Sequence, residues 1–145
     1  MMKKAITQKY SFKAESILSS CIVIKAIQNN KLEYCEAQNV LWDTSATNTI
    51  VSKNIVDALK LEPIKTAYIS GIGGNVEATT YKLSLYFPKE GAWIKEIEVL
   101  ACDLEDNDII IGMDTITQGD LAITNKNGET WFSFRLPASE HIEFD

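Results

Sequence analysis

A chain of 145 residues, 46% hydrophobic and 23% charged, suits one globular domain and excludes a disordered or fibrous polypeptide. Its formal net charge of −6, with Arg135 as the single arginine, argues against nucleic acid as a partner, because phosphate binding needs clustered Lys and Arg. No run approaches the ~18 apolar residues of a membrane-spanning helix, and Lys13 and Glu15 interrupt the apolar leader that a Leu18-Ser19-Ser20-Cys21 cleavage box would need; a cytoplasmic chain with no membrane partner is expected.

Residues 1–10 read as an N-terminal extension to a domain spanning 11–137. Within it, "SCIVIKAI" (20–27) is rich in β-branched residues and runs into Asn29-Asn30, a turn signal. "KLEYCEAQNVLW" then returns as the second strand of a hairpin. In "SKNIVDALKL", Ser52 is a candidate N-cap and Ile55, Val56 and Leu59 share one face, which predicts a helix of two to three turns closed before Pro63. Tyr81, Leu83, Leu85 and Phe87 alternate with polar neighbours as a half-buried strand, preceded by a hairpin turn at Gly71, Gly73 and Gly74. "AWIKEIEVLAC" is a further strand, and "IIIGMD" opens as a continuous apolar run of the kind buried on both faces. Asn127-Gly128 between β-rich runs predicts a last hairpin, and residues 138–145 form an acidic tail. The chain is therefore mainly β. The two halves also echo one another: an apolar strand runs into a small-residue turn at "VLWDTSA" and again at "IIIGMD".

Most side-chain chemistries are excluded by what is missing. Cys21, Cys35 and Cys102 are odd in number and have no C-x-x-C spacing, and His141 is the one histidine. A disulfide framework, a zinc site and a Ser-His-Asp or Cys-His arrangement are disfavoured, and no metal or organic cofactor is expected. What stands out is Asp43, which follows Val40, Leu41 and Trp42 and precedes the small residues Thr44, Ser45, Ala46 and Thr47. An acid at a strand end commonly caps a turn. Here the small residues also leave room for a second group to approach. Two carboxylates close together share a proton, one acting as base on water while the other serves as acid. The chain has no second such motif, so the second carboxylate would come from a two-fold homodimer.

These motifs resemble the retropepsin-like aspartic proteases over roughly residues 22–137. Asp43-Thr44-Ser45-Ala46 matches the D-T-G-A signature, and residues 69–76, "ISGIGGNV", match the glycine-rich flap. Ile110-Ile111-Gly112 matches the apolar-apolar-Gly strand before a short helix. The likeness is closer to small bacterial members, which carry W-D-T-G-A-T, I-G-M-D and N-G-x-T-x-F-S-F-R-x-P, matched at residues 42–47, 111–114 and 127–137. The resemblance implies a closed acid-protease β-barrel with one or two short helices, and an endopeptidase that acts on extended peptide or protein substrates as a homodimer. Asp43 would be catalytic, with Thr44 bonding across the dimer axis and Ser45 supplying a backbone N–H. Ala46, Gly71, Ile72, Gly73, Gly74, Ile110, Ile111 and Gly112 would line or cover the substrate groove.

The chain departs from the pattern in two ways. Ser45 stands in place of glycine: at positive φ it would be strained, whereas at negative φ only a Cβ and a hydroxyl are added. The change also admits a catalytically inactive peptide-binding module on the same fold. Met113 and Thr47 replace the Arg–acid pair of the retroviral enzymes, with Asp114 as a candidate substitute in hydrogen bonding. The N-terminal segment and "TWFSFRLP" are the apolar material available for a dimer.

Overall fold

The computed structural model describes residues 5–25, 30–71 and 74–145. Ten strands and two short helices follow in the order β1 (Ile6–Tyr10), β2 (Ile17–Ile24), β3 (Tyr34–Trp42), β4 (Ile50–Ser52), α1 (Lys53–Leu59), β5 (Thr66–Gly71), β6 (Gly74–Phe87), β7 (Ala92–Cys102), β8 (Ile109–Ile111), α2 (Met113–Ile116), β9 (Asp120–Lys126) and β10 (Glu129–Arg135). The larger sheet runs β2-β3-β8-β4-β7-β6-β5, and β2 also pairs with β6. That extra pairing closes a barrel through β2, β3, β8, β4, β7 and β6 and leaves β5 outside it, attached to β6 alone. Closure hides the strand edges that an open sheet would expose. Sharp bending is supplied by irregularities between Ser19 and Cys21 on β2 and between Leu83 and Leu85 on β6.

Local chemistry accounts for most of these elements. Ser52 sits at φ −64, ψ 139 and accepts the Asn54 N–H, so it caps α1 as its side chain suggests, and Ile55, Val56 and Leu59 are the buried face. Asn127 and Gly128 have φ of 54 and 76, the pair of positive values that a type I′ hairpin turn requires. The predicted hairpin in the first half is also present, with β2 and β3 antiparallel and Val23 opposite Cys35; its turn signal at Asn29 lies outside the described residues.

The barrel core is built from alternate side chains of each strand. Val23, Val40, Val51, Leu85, Ile109 and Ile111 are all fully buried, each stabilising the fold by about 1.5–3 kcal/mol relative to exposure. Trp42 packs at 4.8 Å from Phe132 and 5.0 Å from Phe134, and so joins the barrel to a second, three-stranded sheet of order β1-β10-β9.

That second sheet corrects the reading of residues 1–10 as an extension. Ile6–Tyr10 pairs antiparallel with β10, Ile6 opposite Phe134, and Ile6 is only 2% exposed. The segment is polar on its face and still integral, because Gln8 and Tyr10 satisfy themselves against β2: both donate to the Leu18 carbonyl, and Ser19 donates to Gln8 Oε1. The acidic tail begins tied rather than loose, since the Ser139 N–H and hydroxyl donate to Asp120 and Arg135 donates to both Asp120 and Glu140. These donors, Arg135 foremost, hold the Asp120 carboxyl below the usual carboxylate range. All three cysteines are free, and burial pushes the Cys21 thiol up to about 12.

Candidate active site

Asp43 is placed by β8. This short strand lies between β3 and β4, parallel to the first, with Trp42 opposite Ile111, and antiparallel to the second, with Ile50 opposite Ile110. The chain between β3 and β4 must therefore loop over the end of β8, and Asp43 is its first residue. Its backbone N–H continues the ladder by donating to the Ile111 carbonyl at 2.9 Å. The two segments that echo one another in the sequence thus run side by side, and their turns meet.

Residues 43–49 are fixed against the turn after β8. The Met113 N–H donates to Ala46 O at 2.8 Å and the Asp114 N–H to Thr47 O at 3.1 Å. Gly112 passes so close that a Cβ there would lie 2.5 Å from Asn48 O and 2.9 Å from Ala46 O. Its φ is negative, so the glycine is required for space rather than for backbone freedom.

Beneath the loop lies a network that sequence reasoning saw only in part. Thr49, completely buried, donates its hydroxyl to Asp114 Oδ1 at 2.7 Å and lies 2.7 Å from the Thr115 hydroxyl. It also receives the Gly112 N–H at 3.1 Å, while its own N–H donates to Asp114 Oδ2 at 3.0 Å. Asp114, the candidate substitute in hydrogen bonding for the missing ion pair, accepts both of these bonds from Thr49 within the chain. No sequence signal marked Thr49, because its partners are 63 to 66 residues away. Asp108, just before β8, ties the other end of that strand to β3, where its carboxylate accepts the Gln38 and Asn39 N–H groups.

The Asp43 side chain is half-buried, with Thr44 and Ser45 exposed beside it. Ser45 donates twice to Asp43 Oδ1, from its backbone N–H at 2.9 Å and its hydroxyl at 2.5 Å. Ser45 is absent from the residues with positive φ, so the replacement of glycine is unstrained and keeps the N–H aimed at the carboxylate. Ala46 is half-buried and its N–H donates to the Asp43 carbonyl at 3.2 Å.

The remaining candidate residues separate. Ile110 is half-buried at the loop, but Ile111 is 0% exposed, which corrects its expected place as a groove-lining side chain: it is core, and contributes only its carbonyl to Asp43. The β5–β6 hairpin exists, with Gly71 opposite Gly74 and Gly74 at φ 100, a conformation that favours glycine. Ile72 and Gly73 lie outside the described residues. Beside the turn, Tyr68 and Val76 are well exposed.

The family model "gag-polyprotein putative aspartyl protease" matches residues 36–118, from within β3 through the end of α2. Among curated proteins, none matches. A retropepsin-like aspartic protease from Rickettsia conorii is 18% identical, with 94% of this chain and 98% of that chain covered at a TM-score of 0.50. EIAV protease, solved with an inhibitor, is 23% identical over 74% of this chain and 91% of that chain, at a TM-score of 0.45. At 18% identity the Rickettsia conorii structure speaks for fold alone. The family match spans more than half of the sequence and includes Asp43, its loop and the β8 turn: the chain belongs to the retropepsin-like aspartic proteases.

Proposed function

We propose that the chain is one half of an aspartic endopeptidase, in which Asp43 from each of two subunits forms a dyad that activates water against the peptide bond of an extended substrate. The observation that carries this is the Asp43 loop: a half-buried carboxylate with Ser45 N–H on one oxygen and the small residues Thr44, Ser45 and Ala46 directly after it. With two carboxylates in contact, one proton is shared. The ionised member takes a proton from water as it attacks the carbonyl carbon, and the protonated member donates to the carbonyl oxygen. Thr44, exposed at the loop tip, bonds to the facing loop and sets the spacing. The β5–β6 hairpin closes as a flap over the substrate, whose main chain supplies the hydrogen bonds while alternate side chains carry specificity. No metal takes part in this chemistry.

The second reading is peptide binding without cleavage, and what favours it is the Ser45 hydroxyl occupying Asp43 Oδ1 at 2.5 Å. One experiment separates the two: cleavage of a denatured protein mixture between about pH 4 and 7 by the wild type and by Asp43→Asn. Cleavage by the wild type and none by the variant is expected. Equal cleavage by both contradicts the dyad, and peptide binding without turnover in either supports the second reading.

A further inference from the structure

The hydrogen bonds around Trp42 form a polar chain inside an otherwise apolar core. Trp42 is the last residue of β3 and stands directly before Asp43, and its ring packs among Phe87, Phe132 and Phe134 at 6.1, 4.8 and 5.0 Å. A phenylalanine would fill such a place without a polar partner. The indole N–H needs one, because burying it unpaired is costly, and it donates to the buried Ser19 hydroxyl at 2.8 Å. Ile17 lies opposite Trp42 and Ser19 opposite Val40, so the two side chains meet diagonally on the core-facing side of the β2–β3 pair. Just past Ser19 the register of that pair shifts.

An indole is a donor only, and this assigns every proton along the chain. Ser19 Oγ accepts from Trp42, so its own proton goes to Gln8 Oε1 on β1. The Gln8 amide is thereby oriented: its Nε2 donates to the Leu18 carbonyl at 3.1 Å and to the Tyr10 hydroxyl at 3.2 Å, and that hydroxyl donates to the same carbonyl at 2.7 Å. Among the described residues no buried side-chain nitrogen or oxygen is left without a partner. The chain thus runs from β3 through β2 to β1, out of the barrel and into the three-stranded sheet. A network of this kind adds little net stability over an apolar filling, yet it admits one arrangement where packed rings alone admit several.

We propose that Gln8 and Ser19 are positioning residues for Asp43: by holding the Trp42 indole in one orientation they fix the end of β3, and with it the direction in which the Asp43 carboxylate leaves the barrel. Backbone pairing with Ile17 and Ile111 holds Trp42 from both sides, and the indole bond ties β3 to β2 next to the irregularity that would otherwise loosen the pair. The inference rests on the dyad reading, which supplies the reason for such precision. Two carboxylates that share a proton must meet within hydrogen-bond reach, and a misplacement of about 1 Å costs about a hundredfold in rate.

The test uses the full chain and two readouts, turnover and the amide NMR signal of Ser45, whose N–H donates to Asp43 Oδ1 at 2.9 Å and so reports where the carboxylate points. Gln8→Met, Ser19→Ala and Trp42→Phe each break the chain at one link. In conditions where circular dichroism shows them folded, each is expected to lower kcat by about ten- to a hundredfold with KM within about twofold. Gln8→Met and Ser19→Ala are also expected to shift the Ser45 signal, although neither side chain touches Asp43. Val23→Ala, which truncates a fully buried side chain of the same strand β2 outside the polar chain, is expected to change neither readout. Ser19→Ala combined with Trp42→Phe is expected to lose no more than the worse of the two, because both remove one bond. Folded variants with wild-type kcat and an unmoved Ser45 signal overturn the proposal, and so does a double variant whose losses multiply, or a folded Val23→Ala as impaired in kcat as Ser19→Ala. A wild type that cleaves nothing removes the protease reading, and the Ser45 signal of Gln8→Met then decides the positioning by itself: shifted, it stands; unmoved, it falls.

Discussion

The loop that carries Asp43 and the hairpin of β5 and β6 both end in small residues, yet they are held in opposite ways. The loop is tied by backbone bonds at Ala46 and Thr47 and rests on the hydrogen bonds of Thr49 with Asp114 and Thr115. The hairpin's outer part, where β5 pairs with the start of β6, leaves Tyr68 and Val76 mostly to solvent. Under the proposed function the contrast fits: a carboxylate that meets its twin within hydrogen-bond reach would need a rigid seat, whereas a cover that admits a substrate would need few buried contacts and low local stability.

Substitutions at the two regions should therefore differ in kind. Gly112→Ala is expected to have the largest effect, because its Cβ meets backbone oxygens that cannot move without dismantling the loop; a loss of about 3 kcal/mol or more, read by urea unfolding, is expected. Thr49→Val keeps shape but removes the hydroxyl shared by Gly112, Asp114 and Thr115, for about 2–3 kcal/mol and a fall in Tm of roughly 10 °C by calorimetry. Ser45→Gly removes one of two donors to Asp43 Oδ1 and leaves the N–H; in a cleavage assay turnover should rise by a factor within about tenfold, the scale of one hydrogen bond. Val76→Ala, on the exposed hairpin, should change stability by less than about 0.5 kcal/mol and be felt, if at all, in kcat/KM. A Val76→Ala variant as destabilised as Thr49→Val would erase the distinction between the two regions.

Elements whose signals are local were legible in the sequence. Ser52 and the Ile55, Val56, Leu59 face announced α1, and Asn127-Gly128 announced the last hairpin, because a cap and a type I′ turn depend on residues next to one another. The place of Asp43, at a strand end before a small-residue turn, was legible for the same reason. What stayed hidden depends on distant partners. Ile6–Tyr10 looked like an extension because its inward residues Gln8 and Tyr10 are polar and find their distant partners on β2. Ile111 looked like groove lining because a three-isoleucine run does not say which side faces the core. The conformation of Ser45 depends on how the loop crosses β8, and one residue's identity does not fix that.

The central claim is that one active site is made by two chains, and subunit mixing tests it most directly. Wild type and Asp43→Asn are unfolded together, refolded at a constant total concentration and assayed across the range of mixing ratios. If each site needs an Asp43 from both subunits, activity follows the square of the wild-type fraction, about a quarter at equal mixing. A linear decline, with about half remaining at equal mixing, would mean that one chain suffices and would contradict the claim.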